Sequence, residues 1–240
     1  MTIIYEPKGR ALEYAELAAN LYRGCGHHCT YCYAPAVLRM SREEFAKPVP
    51  RPGVLAQLEK DARKLADDPR SVLLCFTTDP YQRINDTLQL TRSAIAILNG
   101  HGLAVSILTK RGSAAVKDFD LLHEYRRNSY GVTLTCNETA LSREWEPLAD
   151  TPRERLASLK AAHEFGIETW VSFEPVLYPR AVLQMIRATV PFVDFYKVGK
   201  WNYDARAKAI NWPAFRIEIK AVLDKLGKPY MIKRDLAEAK

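Results

Sequence analysis

The chain has 240 residues, 48% of them hydrophobic, which suits one large α/β domain or two small ones and excludes a disordered tail. Lysine and arginine outnumber aspartate and glutamate by 35 to 28; the net charge of +7 permits a polyanionic partner without requiring one. No run of about 18 uncharged apolar residues occurs, and the start Met1-Thr2-Ile3-Ile4-Tyr5-Glu6-Pro7 has no basic stretch leading into an apolar one, so no membrane, no signal peptide and a cytoplasmic location are expected.

Taken in chain order, short runs rich in valine, isoleucine, threonine and aromatics alternate with helical patterns. Strands are predicted at Leu17–Tyr22, Val72–Thr77, Ala104–Thr109, Gly131–Thr135, Thr169–Phe173 and Phe192–Val198, with a further short run at Tyr230–Ile232. Helices are predicted near 53–67, 86–99, 118–127, 152–165, 180–189 and 213–226. Thr151, Pro152 and Glu154 mark a capped helix start, Gly166 its stop, and Asn99-Gly100 ends the second helix in the same way. The proline-rich stretch 47–53 reads as an extended connector. Such alternation means βαβ units around a parallel sheet, either an open doubly wound sheet or a full or partial barrel. In each case ligands gather where the strands end.

Five cysteines are present, and three of them fall within eight residues: Cys25-Gly26-His27-His28-Cys29-Thr30-Tyr31-Cys32. In a reducing compartment this clustering suggests metal chemistry rather than disulfides. The spacing is C-x3-C-x2-C with Tyr31 before the last cysteine. Three thiolates on one loop hold three irons of a cubane and leave the fourth open. Zinc bound by the same cysteines with His27 or His28 is the competing reading, but zinc loops usually pair two C-x2-C knuckles and no second knuckle occurs. The two histidines read better as loop residues beside the metal than as ligands.

This loop, following the first strand, resembles the signature of the radical S-adenosylmethionine (SAM) superfamily. The chain as a whole, over roughly residues 15–235, is similar to the spore photoproduct lyase-like (DNA repair photolyase-like) branch of that superfamily. The residues that carry the closer likeness are Asn20-Leu21-Tyr22-Arg23-Gly24-Cys25, Cys29-Thr30-Tyr31-Cys32-Tyr33-Ala34, Thr78-Asp79-Pro80-Tyr81-Gln82 and Thr109-Lys110. The resemblance implies an α/β fold with a partial (β/α)6 TIM-type barrel in one domain, 1–240, with the cluster loop at 24–33 and a short C-terminal strand and tail at 228–240. It implies a [4Fe–4S] cluster on Cys25, Cys29 and Cys32 that cleaves SAM to a 5′-deoxyadenosyl radical. That radical takes hydrogen from a substrate, with nucleic acid one substrate class. A reductase, flavodoxin or ferredoxin would supply the electron. The oligomeric state is left open.

Physical needs point to further residues. The SAM amine wants acceptors, which the family supplies after the second strand; here that place holds Thr77, Thr78 and Asp79. The carboxylate and ribose want partners, and Thr133, Thr135 and Asn137, Ser172 and Glu174, Lys110 and Lys197 stand at strand ends to supply them. Glu174 ends an otherwise apolar strand, a costly place unless it faces a polar pocket. Lys197 and Lys200, with Trp201-Asn202-Tyr203, form a basic and aromatic group suited to a base or phosphate. For catalysis the candidates are Cys75, Cys136 and Glu174. Spore photoproduct lyases carry a hydrogen-donor cysteine near the second strand's end; here Phe76 holds the matching place, Cys75 is displaced by one, and both Cys75 and Cys136 read as buried small residues. The alternative function is a non-catalytic iron–sulfur or zinc protein that binds nucleic acid.

Overall fold

The computed structural model describes residues 2–239. Its ten described strands are β1 (Ile4–Tyr5), β2 (Leu17–Ala19), β3 (Tyr22–Arg23), β4 (Val49–Pro50), β5 (Val72–Leu74), β6 (Val105–Thr109), β7 (Ser129–Thr133), β8 (Glu168–Phe173), β9 (Phe195–Val198) and β10 (Tyr230–Ile232). Eight form one sheet in the order β1-β2-β5-β6-β7-β8-β9-β10. Every neighbouring pair from β2 to β10 is parallel, and β1 runs antiparallel to β2. Spatial order follows chain order without reversal. A doubly wound sheet has a switch point in its order; this one curls steadily, as a partial barrel does, and β1 and β10 leave it open along one side.

The pleat sorts the side chains. Ala18, Leu73 and Trp170 form a small cluster inside the curl, joined by Tyr5, Tyr14, Phe76, Leu108 and Phe195. Their chain neighbours Leu17, Val72, Leu74, Val105, Ile107, Tyr130, Val132, Val171 and Phe173 face outward into the main core, against Leu58, Ile95, Leu98, Leu159, Val182 and Ile186 of the helices. Gly131 lies under the Trp170 indole, where an added Cβ would sit 2.5 Å from the ring. A larger residue there would drive the indole out of the barrel interior.

Several predicted elements are shorter than expected, for identifiable reasons. The first strand stops at Ala19 because the buried Asn20 turns its side chain aside: it donates to the Tyr5 hydroxyl at 2.8 Å and accepts from the Thr77 backbone N–H at 3.0 Å. The chain then resumes as β3, paired with β4, so part of the proline-rich connector is an edge strand. The second strand ends at Leu74 because Cys75 takes φ +63°, which moves Thr77 into a loop. The fourth strand ends at Thr133, placing Thr135 beyond it. The helix expected over 86–99 is two helices, Asn85–Leu88 and Leu90–Gly100, divided at Gln89. The Asn85 side-chain oxygen Oδ1 accepts from the Thr91 N–H at 3.0 Å and so serves the start of the second helix. Helices at Ala34–Val37, Arg42–Phe45 and Thr139–Trp145 were not predicted; each is seven residues or fewer, too short to show a period. The helix Pro152–Glu164 carries the full capping box expected at Thr151 and Glu154.

A buried ion pair holds the connection after β7. Arg155, fully buried on that capped helix, lies 2.5 Å from Glu146 and donates to the backbone carbonyls of Thr133 (2.9 Å) and Asp150 (2.7 Å). Removing one partner strands the other charge in the interior. Arg155→Met should therefore cost about 3–5 kcal/mol in urea unfolding, and Glu146→Gln/Arg155→Met should cost less than the single change.

Candidate active site

The cysteine loop runs from β3 to the helix Ala34–Val37 and is tied down on every side. Gly24 takes φ +85° against the chain's own backbone, where a Cβ would meet the Phe45 carbonyl oxygen at 2.6 Å. The Cys25 N–H donates to that same carbonyl at 2.7 Å. Gln82 clasps the loop from both directions: its amide donates to the Gly24 carbonyl (3.2 Å) and its carbonyl accepts from Gly26 N–H (3.0 Å). The Thr30 N–H donates to Trp145 (2.8 Å) and the Leu148 N–H to His27 (3.3 Å), so the segment after β7 braces the far end. Arg42 donates to the carbonyls of Cys29 (3.3 Å), Thr30 (3.0 Å) and Cys32 (3.3 Å). Tyr31, the aromatic residue before the last cysteine, reaches inward to hydrogen-bond Glu146 of the buried ion pair.

Asp79 joins this loop to the barrel. Its Oδ1 accepts from Tyr81 N–H (2.8 Å) and Thr109 hydroxyl (2.7 Å), its Oδ2 from Lys110 N–H (2.7 Å), and His27 Nε2 stands 3.1 Å from Oδ2. Burial pushes the carboxyl up, but His27 and these donors outweigh it and hold Asp79 well below the usual carboxylate range. Its lone pairs are thus committed to the protein. In the same turn Thr77 donates its hydroxyl to Asn20 (3.1 Å), while the buried Thr78 hydroxyl has no partner among the described residues.

Cys25, Cys29 and Cys32 are free thiols on the wall of one cavity of about 480 Å³. The cavity lies at the carboxyl ends of the parallel strands and is also walled by Thr77, Thr78, Asp79, Lys110, Thr133 and Glu174. Burial pushes the Cys29 thiol up to about 12 and the Cys25 thiol well above the usual range, so a metal bound there would displace their protons. The donor set fits an iron–sulfur cluster. Three cysteines on one loop would each hold a different iron of a cubane and leave the fourth iron open. Lys110 stays an ammonium: burial lowers it, but Cys29 and Glu146 outweigh that, and its Nζ lies 3.4 Å from the Thr133 hydroxyl.

The other sequence-selected residues are placed as follows. Glu174 accepts from Lys233 Nζ at 2.8 Å and from the Tyr14 hydroxyl. Ser172 lies behind Tyr14, 3.0 Å from its hydroxyl. Lys197 donates to the Tyr14 carbonyl at 2.6 Å and sits 4.8 Å from the Trp170 ring; burial and the neighbouring Lys233 lower it to about 8. Thr135 and Cys136 are buried beyond β7, and Asn137 bonds Gln184 at the surface (2.9 Å). None of these five, Thr135, Cys136, Asn137, Ser172 and Lys197, lines the cavity. Cys75 is 3% exposed and belongs to the outer core, although it borders the cavity beside Phe76. Lys200 to Tyr203 stand at the mouth, with the 82% exposed Tyr203 ring 6.3 Å from that of Tyr33. Sequence reasoning missed Tyr14, Arg42, Glu146, Arg155 and Lys233, which carry no motif. Gln82 lay within a quoted motif, but its clasp on the loop was not legible.

Comparison with known proteins accords with this geometry. Among curated relatives, an uncharacterized protein of Mycobacterium tuberculosis is 31% identical over 179 residues, 71% of this chain and 52% of its own length. One of Methanocaldococcus jannaschii is 26% identical over 184 residues, covering 76% of this chain and 69% of its own. The chain thus spans about half the length of the first of these. Spore photoproduct lyase complexed with a dinucleoside spore photoproduct shares the fold, with a TM-score of 0.73 and 14% identity over 96% of this chain and 78% of that one. So does SuiB of Streptococcus suis bound to S-adenosylmethionine, with a TM-score of 0.68 and 11% identity over 90% of this chain and 49% of that one. Among the described residues no helix is long and apolar enough to cross a membrane. The family model of the Radical SAM superfamily matches residues 19–193, which include the three cysteines, Asp79, Lys110 and Glu174. The chain belongs to the radical SAM superfamily.

Proposed function

We propose that the chain reductively cleaves SAM at a [4Fe–4S] cluster held by Cys25, Cys29 and Cys32 and directs the resulting chemistry at a nucleic-acid substrate. The observation that carries the reading is one cavity shared by three free thiols and the polar ends of β5, β6, β7 and β8. When bound, the cluster and SAM supply one-electron cleavage of the sulfonium and a 5′-deoxyadenosyl radical that removes hydrogen from substrate.

The chain's own residues bind and orient. The unpartnered Thr78 hydroxyl would be available to accept from the amine. The Lys110 ammonium and the Thr133 hydroxyl suit the carboxylate. Leu73, Phe76 and Leu108 line the cavity with apolar surface and keep water from a reactive centre. At the mouth, Lys8 and Lys200 supply positive charge beside the exposed rings of Tyr33 and Tyr203. That pairing of cations with stacking surfaces suits single-stranded nucleic acid. The fold shared with a lyase complexed with a dinucleoside photoproduct supports the same substrate class.

Three outcomes check this reading. Anaerobically reconstituted protein should be brown and, given dithionite and SAM, should release 5′-deoxyadenosine; Cys25→Ala, Cys29→Ala and Cys32→Ala should each lose both properties. Zinc uptake without iron would refute it. Asp79→Asn presents an amide to donors that need a carboxylate, and should cost about 2–4 kcal/mol in urea unfolding while lowering the iron retained per chain. Tyr203→Ala should weaken single-stranded oligonucleotide binding by about 1–3 kcal/mol, and Lys200→Ala should flatten the salt dependence of that binding, both read by fluorescence anisotropy.

A further inference from the structure

Glu174, at the end of β8, walls the main cavity with its side chain 21% exposed. Its hydrogen bonds to described residues all fall on one oxygen: Lys233 Nζ donates to Oε2 at 2.8 Å, and the Tyr14 hydroxyl donates beside it. Tyr14 has a single hydroxyl proton, so Ser172, 3.0 Å away, is the donor to Tyr14. The buried Lys233 also lies 4.1 Å from the Tyr14 ring centroid, which fixes both donors. Oε1 takes no partner among the described residues, and it is not one of the buried orphan atoms, so it stands open to the cavity. Gly199 makes room for the group: a Cβ there would lie 2.6 Å from the Glu174 Cδ and 2.8 Å from Oε1. One oxygen is anchored, and the other is a free acceptor in a set position.

Charge decides what such an oxygen recognises. Lys233 already neutralises Glu174, and Arg10 stands 2.7 Å from Asp235, the neighbouring acid on the cavity wall. The wall therefore suits a neutral N–H donor better than a cation. An ionised carboxylate only accepts. On the Watson–Crick edge of thymine, uracil and guanine the ring nitrogen carries a hydrogen; in cytosine and adenine it presents a bare lone pair. Oε1 attracts the first kind and repels the second. The surroundings suit a flat base. Leu73, Phe76 and Leu108 are apolar, and Tyr33 is close: burial raises its hydroxyl, and the Glu174 charge raises it further. Tyr203 holds its exposed ring out on a backbone at φ +64°, a left-handed conformation that costs a bulky residue energy and gains it no burial.

We propose that Glu174 determines base specificity: its Oε1 accepts from the ring N–H of a keto base (thymine, uracil or guanine) and turns away cytosine and adenine. The inference rests on the nucleic-acid reading above and adds to it the class of base and the residue that reads it. Tyr14 and Lys233 act through Glu174 as positioning residues.

The test measures fluorescence anisotropy of labelled single-stranded ten-mers on anaerobic, cluster-loaded protein. The thymidine ten-mer should bind roughly tenfold tighter than the cytidine ten-mer. A ten-mer of N3-methylthymidine, which lacks the ring hydrogen, should bind as weakly as cytidine. Glu174→Gln keeps the shape of the side chain. Lys233 and Tyr14 hold its carbonyl oxygen, so its NH2 takes the place of Oε1 and donates; the preference should reverse toward cytidine. Gly199→Ala keeps the charge but displaces the carboxylate, and should abolish the preference without reversing it. Should Glu174→Gln not fold, Gly199→Ala and the methylated ten-mer decide the question. Equal binding of the thymidine and N3-methylthymidine ten-mers would overturn the inference. So would a Glu174→Gln protein that keeps the thymidine preference while its calorimetric affinity for SAM falls, because Glu174 then serves the cofactor. Wild-type protein that binds none of the three ten-mers removes the nucleic-acid reading itself, and this inference with it.

Discussion

The site depends on holding a short cysteine-bearing loop rigid against the strand ends. Three cysteines on one flexible segment would leave a cluster free to shift. Here the buried Asp79 carboxylate gathers His27 from the loop, Tyr81 from its own turn, and Thr109 and Lys110 from the end of β6. A charged acceptor in a dry setting makes the bonds from Tyr81, Thr109 and Lys110 stronger than a neutral one would be, and His27 stands 3.1 Å away beside them. The loop is thereby registered against the strand ends, which is where the polar groups facing the thiols stand.

A second buried system works from the other side. The Glu146–Arg155 pair sits behind Tyr31, and Arg155 also bonds the carbonyl at the end of β7. Neither charge reaches solvent, so each is tolerable only through its partners. The consequence is a cavity wall on which the half-buried Lys110 remains charged, because Cys29 and Glu146 are close.

The open side of the barrel is closed by residues distant in the chain. Tyr14 and Lys233 meet at Glu174, Arg10 lies 2.7 Å from Asp235, and the Arg234 N–H donates to Glu13 at 2.6 Å. All but Glu174 fall outside the span of the family match. The matched core therefore carries the thiols and the strand-end polar groups, while much of the mouth is built by the flanking segments.

What the amino-acid sequence determined alone was the local and periodic information. The C-x3-C-x2-C loop, the strand–helix alternation, the Thr151 capping box and the turn Thr77-Thr78-Asp79 all lie within a few residues of themselves, and their spacing is their signal. Strand ends were less legible, because a side-chain bond such as that of Asn20 to Thr77 can end a strand without a composition change. The tertiary structure decided the curl of the sheet over a doubly wound order, the commitment of Asp79 to protein donors, and the meeting of Tyr14 with Lys233 and of Tyr31 with Glu146. These contacts join positions more than a hundred residues apart or turn on the environment of a single carboxylate. Burial and charge at such points arise only when the chain closes on itself, so no local pattern records them.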